Sequence, residues 1–149
     1  MIPMEAKEAI LIDGSGHLLG RTASIVAKKL LSGERVVIVN GERLVISGNP
    51  DYQVKTFAAK LEIKTLHSPR HTPHHFRRPD IYVKRAVRGM LPHKKPGGRD
   101  ALRNLTVYIG TPKEYAEKRP ITIPEAAASK LRTRSMTVGE LTRRFGWET

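Results

Sequence analysis

Residues 8–40 read EAILIDGSGHLLGRTASIVAKKLLSGERVVIVN, an order of strand, turn, helix and strand. The apolar residues at 8–12 predict a short buried strand, and Asp13-Gly14-Ser15-Gly16 then turns the chain. From Leu18 to Leu31 apolar residues recur at helical spacing, which predicts a helix with one buried face. Arg35 to Val39 is a nearly continuous β-branched run, typical of a strand covered on both faces of a parallel sheet. The stretch therefore predicts an α/β fold.

The pattern continues beyond the turn expected at Asn40-Gly41. Leu44–Ile46 is predicted as a short strand, and Asn49-Pro50 as the cap and first residue of a helix that reaches about Leu61. A second basic helix is predicted from Ile81 to Leu91, and a buried strand from Leu105 to Ile109. The inward residues expected on the three helices are Leu19, Ala23, Val26, Ala27, Leu30, Tyr52, Phe57, Leu61, Ile81, Val83, Val87 and Met90.

Three segments lack such periodicity. Thr65–Pro79 holds three prolines and four histidines and is predicted to be an extended arm or long loop. His93–Gly98 is predicted as a basic loop rich in Pro and Gly. In the C-terminal third, Pro112–Lys118 is expected to form one or two helical turns, and the capping-box spacing at Thr137–Glu140 predicts a short helix that reaches Arg144.

Positive charge is concentrated in one third of the chain. Residues 53–104, here called the basic segment, hold 13 Lys and Arg but only three acids, a net charge of +10 out of +13 for all 149 residues. Five of the six histidines lie there too. Self-repulsion of this kind destabilises a compact protein unless a polyanion is present. Nucleic acid is the simplest such partner, because each neutralised phosphate releases a counterion.

Composition excludes several other classes. The chain has no cysteine, which rules out disulfides, thiol catalysis and Cys-ligated zinc. No apolar run approaches the ~20 residues that cross a bilayer, and the N-terminus does not read as a signal peptide, so we expect no membrane partner and a cytoplasmic location. With Phe76 the one aromatic residue in the arm, backbone and shape recognition of structured RNA fits better than a base-stacking platform.

Two motifs resemble other kinds of site, a nucleotide-cofactor site and a metal site. Gly14-Ser15-Gly16 with Gly20 resembles a dinucleotide-binding turn, but the spacing is one residue too long and Asn40 stands where an acid normally holds ribose. A tight strand-to-helix turn, with Gly20 letting the helix approach the sheet, is favoured over a nucleotide-cofactor enzyme. The histidines of the arm have zinc-like spacing, but the arginines among them make a poor cation site, so no metal is expected. No catalytic triad or carboxylate pair is evident, and we expect no enzyme and no small-molecule substrate.

Four strings, in this order, resemble a known family. They are Leu18-Leu-Gly-Arg-Thr-Ala-Ser24, Val36-Val-Ile-Val-Asn40, Ala86-Val-Arg-Gly-Met-Leu-Pro92 and Leu105-Thr-Val-Tyr-Ile-Gly110. Together they resemble the L13 family of large-ribosomal-subunit proteins from about Ile10 to Gly110, and Arg-Gly-Met-Leu-Pro is the most specific string. The segment Ser68–Phe76, the tail and the short chain are similar to the archaeal branch.

The resemblance implies a three-layer α/β/α sandwich with a four-stranded, mostly parallel sheet. It implies one domain with a body at about 8–64 and 80–110, the arm at 65–79 and a helical tail at 111–149. It also implies a structural role in the ribosome, bound to large-subunit rRNA beside neighbouring ribosomal proteins and joining early in assembly. A free-standing RNA regulator is the alternative. The expected rRNA-binding residues are Lys55, Lys60, Lys64, Arg70, His71, His74, His75, Phe76, Arg77, Arg78, Lys84, Arg85, Arg88, His93, Lys94, Lys95 and Arg99.

Overall fold

Strands and helices alternate along most of the chain, of which the computed structural model describes residues 8–148. The strands are β1 (Ile10–Asp13), β2 (Val36–Val39), β3 (Val45–Ser47), β4 (Leu105–Val107) and β5 (Ser135–Thr137). The α-helices are α1 (Leu19–Leu31), α2 (Pro50–Glu62), α3 (Pro79–Met90), α4 (Pro96–Arg103), α5 (Lys113–Ala116) and α6 (Val138–Arg143). Single 3₁₀ turns occur at Gly41–Arg43, Pro69–His71, Pro124–Ala126 and Ala128–Lys130. The α/β class is therefore confirmed.

The central sheet has three parallel strands in the order β1-β2-β4, with Ile10 opposite Val36 and Val36 opposite Leu105. The expected fourth strand is wrong. Asn40 adopts a left-handed conformation (φ 53°) and a 3₁₀ turn follows it, so the chain leaves the sheet before β3 begins. β3 instead pairs antiparallel with β5 in a separate two-stranded sheet. Ile121 adds only an isolated parallel bridge beside Ile12 of β1.

The main core lies on one face of the parallel sheet. All four residues of β2 are buried, as the β-branched run predicts for a strand covered on both faces. The predicted inward residues of α1 are all buried, and α1 packs against β2 and α3, while α3 also contacts β4. On the opposite face Leu11, Val37 and Val39 form a smaller cluster with Tyr108 and with Tyr115 of α5.

The C-terminal third completes the main core. Ile123, Ala126 and Val138 belong to the same buried cluster as α1 and β2. The predicted capping box of α6 is present, since Thr137 N donates to Glu140 Oε2 (3.0 Å) and Glu140 N donates to Thr137 Oγ1 (3.1 Å). The segment expected to be a tail thus packs against the body through its apolar residues.

Two expectations about helix faces and one about a glycine are wrong. Tyr52 is 65% exposed, and α2 has no buried residue. Phe57 of α2 contacts Tyr82 of α3 and Phe145 through edge-on ring contacts. Met90 is 45% exposed, whereas Val83 and Val87 are buried as predicted. Gly20 is exposed, and a Cβ atom there meets nothing within 4 Å, so it has no role in bringing α1 to the sheet.

Candidate nucleic-acid interface

The predicted basic residues lie on a run of adjacent elements, from α2 through the arm and α3 to α4. Lys55 and Lys60 are exposed on α2, which begins as expected with the Asn49 side chain accepting a hydrogen bond from Asp51 N (3.1 Å). Lys64 follows the end of the helix and is exposed too. Because α2 buries no side chain, its basic stripe stands at the outside of the molecule.

Acids neutralise very little of this charge. Among residues 8–148, the ion pairs join Lys29 to Glu34, Arg43 to Glu42, Arg78 to Asp80 and Arg103 to Asp100. Of the Lys and Arg residues predicted to bind rRNA, only Arg78 takes part in one, at 3.0 Å from Asp80. The remaining predicted Lys and Arg side chains carry charge that no acid of the described chain offsets at contact distance.

The arm is irregular, as predicted, but it is folded against α3 rather than extended. Arg85 Nη2 donates to His74 O (3.0 Å), and the Arg85 guanidinium carbon lies 4.6 Å from the centre of the Phe76 ring. His75 Nε2 lies 2.8 Å from Ile63 O. A carbonyl oxygen can only accept, so Nε2 carries the proton. Arg85, Phe76 and His75 thus hold the arm in place, and they were predicted as rRNA contacts only.

Within the arm, a second set of bonds closes a small loop. Thr65 Oγ1 donates to His71 O (3.1 Å), and Thr65 N donates to Thr72 Oγ1 (3.4 Å). The loop and the residues after it leave the remaining predicted side chains of the arm exposed, namely Arg70, His71, His74, Arg77 and Arg78.

Beyond the arm, the basic surface continues over α3 and the turn before α4. Arg88 is exposed on α3, whereas Lys84 and His93 are half-buried. Lys94 and Lys95 are exposed in the turn between the helices. The predicted loop His93–Gly98 is wrong from Pro96 onward, where α4 begins.

The prolines and glycines of this segment predicted a loop, but from Pro96 onward they belong to a helix. Pro96 is the first residue of α4, a position that proline favours. Gly98 is buried, and a Cβ atom on it would lie 2.1 Å from Pro92 O, so only glycine lets α4 pack against the preceding turn. Arg99 is therefore exposed on a helix rather than in a loop.

Comparison with known proteins identifies relatives along most of this chain. The family model of ribosomal protein L13 matches residues 7–114. The chain belongs to the ribosomal protein L13 family. It is 43% identical over 145 residues to large ribosomal subunit protein uL13 of Aeropyrum pernix, with 97% of this chain and 93% of that protein covered. It is 44% identical to the uL13 protein of Methanocaldococcus jannaschii, with 91% and 96% covered.

A eukaryotic relative differs mainly in length. The uL13 protein of Caenorhabditis elegans is 41% identical over 145 residues, which are 96% of this chain but 72% of the nematode protein. The two archaeal relatives are covered to 93% and 96% of their own length.

In this L13-family fold, the Asp13 side chain forms hydrogen bonds within the glycine-rich turn after β1. Asp13 Oδ1 accepts hydrogen bonds from Ser15 N (2.9 Å) and Asn40 Nδ2 (3.0 Å). Burial by itself raises the pKa of Asp13, but the bonds from Asn40 and Ser15 outweigh it, and the pKa is lowered from its usual value. A Cβ atom on Gly14 would lie 2.7 Å from Asn40 O. A carboxylate held in this turn repels a pyrophosphate, which favours the structural role of the turn.

The histidines do not gather into a metal centre. Between residues 8 and 148, no three His, Asp or Glu side chains are placed to share an ion. His17, the histidine outside the basic segment, is buried and accepts a hydrogen bond from Ile123 N at Nε2 (3.1 Å). This bond ties the C-terminal third to the start of α1. In the same described range, no helix has the length and apolar character to span a bilayer.

A second group of cations was missed by the sequence argument. Residues 126–139 contain Lys130, Arg132 and Arg134 but no acid, and all three side chains are exposed. Arg21 of α1 is exposed close to the start of this stretch, because its Nη1 donates to Glu125 O (3.1 Å). The signal that could have found this group is the acid-free run, which is visible in the sequence.

Proposed function

We propose that this L13-family chain is a structural constituent of the large ribosomal subunit that binds large-subunit rRNA and contacts neighbouring ribosomal proteins. The observation that carries the proposal is the series of exposed basic side chains on α2, the arm, α3 and the α3–α4 turn, among which only Arg78 is paired with an acid. The relatives, which are named as large-subunit proteins, support the same role. Its place is then the ribosome in the cytoplasm, with no catalysis, cofactor or small-molecule substrate.

The proposed mechanism is phosphate neutralisation on a rigid scaffold. The buried α/β body fixes the relative positions of the basic elements, which bind between rRNA helices and release counterions. Their side chains are mainly Lys and Arg, which recognise the backbone and groove shape of RNA rather than its bases. Joining early in assembly follows from such contacts, because a protein that links rRNA helices stabilises their arrangement for later components.

The finer organisation is proposed on the same basis. We take the chain as one domain in which the arm at 65–79 is the main extension toward rRNA and the residues after 110 pack onto the body. The short helix α5, with Tyr115 on the second sheet face, is the counterpart of the third layer expected of the family. The antiparallel pair of β3 and β5 joins the C-terminal segment to the body.

The test is a charge reversal on exposed, unpaired cations. We expect the triple variant Arg77→Glu, Lys94→Glu and Lys95→Glu to keep its fold and to lose rRNA binding by several orders of magnitude. The slope of log K against log salt should fall by roughly 2–3, since each lost phosphate contact removes about 0.7–0.9. Filter binding to protein-free large-subunit rRNA over a salt series measures both quantities.

The matched control reverses the same number of charges away from the basic surface. Lys28, Lys113 and Arg119 are exposed, and their triple change to Glu alters the net charge by the same amount. We expect this control to retain most of the affinity and slope. Equal losses in the two variants would show that net charge, and not the proposed surface, governs binding.

A further inference from the structure

A groove of about 450 Å³ lies where the N-terminal end of α1 meets β3 and α3. It lies within the range of volumes of small-molecule pockets, roughly 300–1,000 Å³. Its polar lining comes from Arg21 and Ser47, while Gly20 lies at its edge. The apolar lining consists of Leu18, Leu19, Val45, Ile46, Ala86 and Leu131. None of these residues belongs to the surface predicted from the sequence.

The charge around the groove is positive. The second group of cations is close to it along the chain, since Leu131 lies between Lys130 and Arg132, and Arg134 O accepts a hydrogen bond from Gly48 N beside β3 (2.9 Å). Arg21 is held at its wall by the bond to Glu125 O, and the first turn of α1 contains no acid. Glu125 is the one acid in this part of the C-terminal segment, so cations outnumber acids here.

We propose that this groove binds one unstacked nucleotide of large-subunit rRNA, with the base against the aliphatic wall and the phosphate toward Arg21 and the flanking cations. The inference rests on the proposed rRNA binding and adds a site that reads a base. An apolar wall with a cationic border suits a nucleotide, whose ring is apolar on its faces and whose phosphate is an anion. Bases splayed from loops and bulges are what proteins contact in this way, and an arginine guanidinium can stack on them.

The decisive variant fills the groove without touching the core. Gly20 lies at the groove in α1, is exposed, and has free space where a Cβ atom would stand, so Gly20→Phe places a ring at the groove with the fold intact. Ser47→Glu is the second variant, because it brings a carboxylate into the same space from an exposed position. Gly20→Ala and Ser47→Ala are the matched controls. A cooperative unfolding transition in each verifies that all four variants are folded.

The readout is binding of the full chain to protein-free large-subunit rRNA, with chemical probing of the bases. We expect Gly20→Phe and Ser47→Glu to lose about tenfold in affinity, the scale of one stacked base, while both alanine controls bind as the wild type does. Probing should show one base, protected by the wild type, that becomes reactive with Gly20→Phe while the remaining footprint persists.

Three other results would overturn the proposal, each in a different way. If Gly20→Phe and Ser47→Glu bind with wild-type affinity and footprint, no nucleotide occupies the groove. If they bind free rRNA normally but fail to enter subunits reconstituted with the other ribosomal proteins, the occupant is a protein segment. If the wild type itself does not bind the rRNA, the proposed function fails first, and this site fails with it.

Discussion

At the level of single residues, the glycines fall into two groups. At some positions a side chain would clash with a close neighbour, and at others it would have free space. A Cβ atom on Gly98 would lie 2.1 Å from Pro92 O, and one on Gly41 would lie 2.8 Å from the Val107 side chain. Gly20 has nothing within 4 Å. A packing role was predicted for Gly20 because its position after a strand is visible in the sequence, whereas its distance to remote backbone atoms is not.

Gly98→Ala and Gly20→Ala therefore form a matched pair for stability. We expect Gly98→Ala to lower the free energy of unfolding by about 1–3 kcal/mol, since α4 must move away from the Pro92 carbonyl. Gly20→Ala should leave it unchanged or slightly higher, because alanine is the better helix former. Urea unfolding of both variants measures the difference. A Gly98→Ala protein as stable as the wild type would mean that the contact relaxes at no cost.

Asp13 makes stability depend on pH in a definite direction. Its pKa is lowered in the folded protein from 3.8, so its ionised form stabilises the fold above that pH. The contribution is lost as the pH falls through the folded pKa. We expect Asp13→Asn to unfold at a lower temperature than the wild type at pH 7, and the difference to shrink below about pH 3.8. Thermal unfolding over a pH series checks this, and a constant difference would contradict it.

At the scale of elements, the sequence predicted best where one element has one strong pattern. α1 and β2 were found because their apolar spacing and β-branched run require burial, and α6 because its capping box is local. β3 was predicted as a short strand, but its pairing with β5 was not predicted. Its partner Ser135–Thr137 has no apolar run, and pairing between segments that are far apart in the chain leaves no local trace.

In the candidate site, too, features with a local sequence pattern were predicted and contacts between remote segments were not. The exposure of the basic helices could be predicted from charge and periodicity. The hydrogen bond from Arg85 to His74 O and the contact of Arg85 with Phe76 could not be predicted, because both arise from the arm folding back onto α3. The groove beside α1 was invisible for the same reason, since its lining comes from α1, β3, α3 and Leu131.

Phe76→Ala tests whether the arm is held by Arg85 or binds a base itself. If Phe76 only orders the arm, its loss costs about 0.5–1 kcal/mol of rRNA affinity, a two- to fivefold change, with the salt slope unaltered. If its ring stacks on a base, the loss is about 1–3 kcal/mol. We expect the smaller loss, because the Arg85 guanidinium already covers the ring at 4.6 Å. Filter binding distinguishes the two, and Arg85→Ala, which also removes a charge, serves as the comparison.

At the scale of the whole molecule, the net charge of +13 acts in opposite directions on folding and on binding. Without RNA, like charges on α2, the arm, α3 and α4 repel one another, and dissolved salt screens that repulsion. In the proposed complex with rRNA, the same charges would neutralise phosphate, and salt would compete with them. One property of the sequence thus predicts two salt dependences of opposite sign.

We expect the free protein to unfold at a higher temperature when NaCl rises from about 50 to about 200 mM, while rRNA affinity falls by roughly 10³–10⁵ over that interval if six to ten phosphates are contacted. The variant with Arg77, Lys94 and Lys95 changed to Glu has its net charge reduced from +13 to +7, and both salt dependences should weaken together in it. Thermal unfolding and filter binding on the same samples provide the comparison. If salt lowered the unfolding temperature of the free wild type, the charges would already be compensated within the fold, and the basic surface would not need a polyanion.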